Sequence, residues 1–151
     1  MIDSVLRCGL SDADRLLKDL RNMHREIAPF GQWDEETCVN FLEDSLSNHI
    51  VLKRVKGDEL LGHMMLRIES HWYTKEKALY EYYVYVPPQH RRTRTAFDLY
   101  KVAKATAKVL GLPFFYGTFR NPKAQLEKVN KFLKRQGGEL TGVQYFIGVE
   151  E

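Results

Sequence analysis

The run "ALYEYYVYV" (residues 78–86) is followed at once by Pro87 and Pro88, by a loop bearing Arg91, Arg92 and Arg94, and by a helix-patterned stretch. That succession constrains the fold more than any other feature. Tyrosine and valine favour an extended strand, and proline has no N–H with which to continue a ladder. Beyond the loop, Ala96, Leu99, Val102, Ala103, Ala107 and Leu110 recur at helical spacing, and Gly111 closes the helix. A strand, a basic loop and a helix form a recipe for holding an anion. Free N–H groups at the helix start point outward, and the helix dipole adds about half a positive charge there. Thr93 and Thr95 are placed to cap the helix and add hydroxyl donors. Arginines grip phosphate oxygens in bonds worth about 1.5–3 kcal/mol each.

The remaining elements follow from local pattern. Ser4–Cys8 reads as a first strand. Ser11 is the expected cap of a helix carrying Ala13, Leu16, Leu17, Leu20, Met23 and Ile27, ended by Pro29 and Gly31. Asp34 opens a second helix with Cys38, Phe41, Leu42 and Leu46 on one face. "HIVLKRVKGDELLGHMMLRIE" reads as a hairpin turning at Lys56-Gly57-Asp58. "LPFFYGTF" is a further apolar strand, and a cationic helix runs from about Pro122 to Gln136 with Leu126, Val129, Phe132 and Leu133 inward. After Gly137-Gly138 come a short strand near Glu139–Thr141 and a last one in "GVQYFIGVE". This order implies an α/β fold, one mixed sheet with helices on both faces, and no repeat or linker divides residues 1–151 into more than a single domain.

Bulk properties narrow the partners. The longest apolar runs fall short of the roughly 18–20 residues a membrane span needs, and the acidic N-terminal stretch "MIDSVLRCGLSDADRLLKDL" lacks the apolar core of a secretory signal. Cys8 and Cys38 read as reduced core thiols, and the five histidines show no ligand spacing, so no metal is expected. The net charge of +3 hides an asymmetry: residues 90–136 hold twelve Lys or Arg against Asp98 and Glu127. That half favours a phosphate-bearing partner, either a nucleotide-like cofactor or a nucleic acid, unless the excess only solvates two helix faces.

The run "VPPQHRRTRTA" and the element order resemble the GNAT family of N-acetyltransferases, whose signature is roughly V-x-P-E-Y-R-G-x-G-x-G/A. Val86, Pro88, Arg91 and Ala96 match it. "KGDELLGHMMLR", with Gly62, resembles the family's hairpin, while "AKATAKVLG" and "NKFLKRQGG" resemble the ends of its third and fourth helices. Trp72-Tyr73 and "RRTRTA" are similar to a divergent, phage-type branch. The resemblance implies a GNAT-like, mostly antiparallel sheet of six to seven strands and acetyl-CoA as cofactor. It implies that the diphosphate rests on the N–H groups of Arg92, Thr93, Arg94, Thr95 and Ala96, with Arg91 nearby. The pantetheine arm would pair with the strand at Val84 and Val86, and the N–H near Val84 would polarise the thioester carbonyl.

Several positions depart from that pattern. Arg94 replaces the central loop glycine, Arg92 stands where another is common, and Leu133 occupies the place of a tyrosine that protonates the departing thiolate. Asn121 and Ala124 imitate the family's N-x-x-A at a different spacing. Asn121 is therefore either a helix cap before Pro122 or a pantetheine contact. Catalytic candidates come from the aromatic strand: Tyr80 aligns with a glutamate base of some relatives, Glu81 adjoins it, and Tyr82 is one step on. Glu81 has the better chemistry for a base near neutral pH, with a cross-strand ion pair as its rival role. A bulge in this strand would decide which of them face the cleft. His90 reads as exposed or as a phosphate contact; Trp72 and Tyr73 either wall a substrate pocket or close the core.

Three functions fit. The first is transfer of an acetyl group to a small-molecule or protein amine, by a protein that is cytoplasmic, or in host cytoplasm or a virion if phage-encoded. The second is a catalytically weakened GNAT-like binding or structural protein, and the third a nucleic-acid binder, ranked last because no nucleic-acid motif is visible. Neither the acceptor nor the oligomeric state, a homodimer being one option, is encoded in a transferable motif.

Overall fold

Strand β3, Glu59–Ser70, sets the layering of the molecule. Its stretch from Leu60 to Leu66 is buried without interruption, as expected of a strand covered on both faces. Met65 joins one hydrophobic cluster, and Met64 and Leu66 join a second, because successive side chains point to opposite faces. The computed structural model describes residues 3–27, 31–117, 123–141 and 147–148.

Around β3 the sheet comprises β1 (Asp3–Arg7), β2 (Ile50–Lys56), β4 (Lys77–Tyr85) and β5 (Phe114–Phe115), in the order β1-β2-β3-β4-β5. The first three junctions are antiparallel and β4–β5 is parallel. Helices α1 (Ala13–Ile27) and α2 (Glu35–Asn48) cover one face through Leu16, Leu20, Leu42 and Leu46. Helix α3 (Thr95–Leu110) covers the other through Leu99, Ala103 and Ala107. Helix α4 (Lys123–Arg135) joins that side where the Phe132 ring meets Tyr100 at 5.0 Å. The β2–β3 hairpin turns at Gly57, whose φ of 60° suits glycine, and Asp34 caps α2 by accepting the Thr37 N–H at 2.8 Å.

Three expectations are corrected. Among the described residues the sheet has five strands, not six to seven. Residues Glu139–Thr141 are exposed and carry no strand, and "GVQYFIGVE" lies, apart from 147–148, outside the described residues. Ser11 does not cap α1: a 3-10 turn at Leu10–Asp12 precedes the helix, and Asp12 accepts the Gly9 N–H at 2.9 Å. The carboxylate wins because it also binds Lys53 at 2.7 Å, tying the turn to β2.

Two irregularities shape the end of the sheet. Met65 pairs with Tyr83 and Leu66 with Glu81, so Tyr82 is an extra, bulged residue of β4. A Cβ on Gly62 would lie 2.7 Å from the Thr95 methyl and 3.0 Å from the Tyr85 carbonyl, so glycine lets the start of α3 press against β3. Gly62→Ala is expected to cost about 1–3 kcal/mol, read as a lower melting temperature in a thermal scan; an unchanged midpoint would show that the contact yields freely.

Candidate functional site

The site begins where β4 and β5 part. They pair only at Leu79–Phe114 and Tyr80–Phe115; beyond Tyr80, β4 continues to Tyr85 without a strand partner on that side among the described residues. In place of the ladder, the Glu81 carboxylate accepts the Gly117 N–H at 3.1 Å. Tyr116 turns into the gap with Tyr100, ring centroids 5.8 Å apart. The opening is a cleft of about 370 Å³, bounded by Val84–Val86, the loop after β4, the first turn of α3, Tyr116, α4 and the end of α1.

The basic loop divides its work. Arg91 turns inward, donating from Nε to the Val86 carbonyl at 2.8 Å and pairing with Glu26 of α1, with its guanidinium 6.0 Å from the Tyr85 ring. Arg92 is exposed and has no partner among the described residues. Arg94 is 72% exposed and 3.9 Å from Asp98. The Thr93 hydroxyl donates to the His90 carbonyl at 2.6 Å and lies 2.8 Å from the Thr95 hydroxyl. Since Thr93 has one proton, Thr95 is the donor between them; both hydroxyl protons are spent inside the turn. Thr93 also accepts the Thr95 N–H at 3.3 Å. No acceptor among the described residues meets the N–H groups of Arg92, Arg94, Ala96 and Phe97, the open donors of a helix start.

The strand candidates point apart. Glu81 is buried at the fork. Tyr82 faces α2, donating to Glu69 at 2.6 Å, with Arg67 over its ring at 5.4 Å and Phe41 at 5.9 Å. Burial alone would raise the Glu69 carboxyl, but hydrogen bonds from Tyr82 and Arg67 outweigh it and hold that group below its ordinary value. Tyr80 stacks on Phe115 at 5.1 Å and bonds His71. Asn121 lies outside the described residues. His90 is half-buried and 3.0 Å from Glu59, not open beside Pro88. Trp72 and Tyr73 neither line the cleft nor close the core: they are 94% and 69% exposed.

Sequence patterning did not single out Glu26, Tyr85, Tyr100 or Tyr116 as cleft residues. Tyr116 lay within a run read as strand, and Glu26 lies 65 positions from its partner Arg91, beyond any local signal. Burial, then the charge of Glu81, pushes the Tyr116 phenol up, so it keeps its proton at neutral pH. Burial and then Glu26 push Tyr85 up to about 12.

This raised value predicts a pH effect. Between about pH 10 and 12 the unfolded chain loses the Tyr85 proton while the fold retains it, so stability is complete below pH 10 and falls as pH rises, at up to about 1.4 kcal/mol per pH unit. Urea midpoints measured from pH 9 to 11 should fall, less steeply in Tyr85→Phe; equal slopes would contradict the assignment.

A sheet forked between two parallel strands, with open helix N–H groups and cationic side chains at its mouth, offers an elongated space with hydrogen-bond donors and positive charge at one end. Residues 15–125 match the Acetyltransferase (GNAT) family, and the chain belongs to it; the family uses acetyl-CoA and acts on amines. No curated protein matches the sequence significantly. Among solved structures, a predicted acetyltransferase with acetyl-CoA from Clostridium acetobutylicum superposes with a TM-score of 0.74 at 11% identity, covering 97% of this chain and 96% of its own. The ribosomal-protein-alanine N-acetyltransferase of Brucella melitensis biovar Abortus 2308 gives 0.72 at 17%, covering 99% and 100%. An aminoglycoside acetyltransferase from an uncultured soil metagenomic sample gives 0.70 at 14%, covering 98% and 97%. At these identities the likeness is one of fold.

Proposed function

We propose that the protein is an acetyl-CoA-dependent N-acetyltransferase acting on an amine. The observation that carries this reading is the fork: a 370 Å³ cleft opens beside the unpaired edge of β4 and ends at the open N–H groups of α3. Acetyl-CoA supplies the acetyl group as a thioester. The main chain of Arg92, Thr93, Arg94, Thr95 and Ala96 would hold the diphosphate, and the edge at Val84 and Val86 the pantetheine arm. Arg91 acts through shape, fixing the loop to Val86 and Glu26.

Proton handling falls to groups at the fork. Glu81 is the candidate acceptor of the amine proton, with Tyr82 and Tyr80 on the other side of the sheet as alternatives. Leu133 cannot donate a proton, and Tyr116 can: its phenol lines the cleft and stays protonated. Amines of the kinds for which structural neighbours are named, an aminoglycoside and the alanine of a ribosomal protein, form the first acceptor panel.

Millimolar acetyl-CoA should raise the melting temperature, since saturating ligand stabilises the fold that binds it. Free thiol should then appear with at least one amine of the panel. Tyr116→Phe should slow thiol release roughly 10²- to 10⁴-fold while preserving the acetyl-CoA-induced shift. Absence of both the shift and thiol release would sink the proposal.

A further inference from the structure

We propose that Arg94 and Lys101, gathered on the ring of Phe97 at the rim of the cleft, form a phosphate-monoester subsite that selects coenzyme A over its 3′-dephosphorylated form. The proposal rests on the acetyl-CoA reading above. A glycine at position 94 would offer only backbone to a ligand; the arginine adds a full charge to the same turn. Its guanidinium lies 4.9 Å from the Phe97 ring centre, and the Lys101 ammonium lies 5.5 Å from the same ring. Phe97 itself lines the cleft, so the ring anchors both cations at the cleft mouth.

Neither charge is consumed within the protein. Arg94 meets Asp98 only at 3.9 Å, and the other oxygen of Asp98 is bound by Arg54 of β2. Lys101 is exposed and has no carboxylate partner among the described residues. A diphosphate at the helix start would be served by the open N–H groups, leaving these two side chains surplus to it. Both cations rest on the ring of Phe97, in the first turn of α3 whose N–H groups stay open. The ligand that fits carries a second anionic group close beside the first. The 3′-phosphate of coenzyme A meets that requirement, and a phosphate monoester carries about 1.5–2 negative charges at neutral pH.

Titration calorimetry of the full chain with coenzyme A and with 3′-dephospho-coenzyme A tests the subsite. The unmodified protein should bind coenzyme A about tenfold more tightly or better, as expected for well-placed charge-assisted bonds. In Arg94→Gln/Lys101→Ala the two ligands should come within about twofold, the larger loss of affinity falling on coenzyme A. Thermal scans without ligand check that the double variant folds, and each single variant should show an intermediate preference. Equal binding of both ligands by the unmodified protein would overturn the subsite while leaving the cofactor reading intact. Parallel loss of both affinities in the double variant would also overturn it, marking general electrostatic attraction instead. Binding of neither ligand would overturn the subsite together with the cofactor reading.

Discussion

The absence of a side chain at Gly62 lets Thr95 occupy the space a Cβ would fill, and the geometry of the cleft mouth depends on that contact. It seats the first residue of α3 directly against β3, so the helix starts at the sheet rather than above it. Two ion pairs reinforce the placement. Arg54 of β2 reaches Asp98 in the first turn of α3, and Arg91 reaches back to Glu26 of α1. The turn between β4 and α3 is thus tethered to both layers of the molecule. A turn ordered before a ligand arrives spares the ligand the entropic cost of ordering it.

The two faces of the sheet carry different chemistry at the fork. Bulging at Tyr82 places it and Tyr83 toward the same α1/α2 layer. There Tyr83 is locked to His63 at 2.7 Å, and His63 to Asp19 at 3.1 Å. With Asp19 accepting from one ring nitrogen, the other accepts the Tyr83 proton, so this buried chain is satisfied end to end. Tyr82 reaches the more open network of Glu69 and Arg67. Glu81, on the opposite face, spans the gap to Gly117. One strand therefore presents a structural tyrosine, a solvent-side tyrosine and a buried carboxylate within three residues.

Much of this fold was legible in the sequence, because periodicity and punctuation are local signals. Asp34, Gly57 and the Pro87-Pro88 pair marked element boundaries that the structure reproduces closely. The misreadings share a cause, which is dependence on distant partners. "LPFFYGTF" has strand composition throughout, yet among its described residues only Phe114 and Phe115 pair, since Tyr116 is drawn away by Tyr100 and Gly117 by the Glu81 carboxylate. Ser11 is a good cap by type, but Asp12 has Lys53 behind it. Three arginines in one loop look equivalent on paper; a glutamate on α1 makes Arg91 a strut, while Arg94 and Arg92 stay toward solvent.

The contrast between the two indoles gives the molecule a built-in optical asymmetry. Trp72 stands almost wholly in water on the β3–β4 loop. Trp33 packs against the α1/α2 core beside Arg21 and His24, in the same cluster as Met23 of the cleft wall. Red-edge emission therefore belongs to Trp72 and is indifferent to what fills the fork. Any spectral change confined to the blue component reports on the α1/α2 side of the sheet.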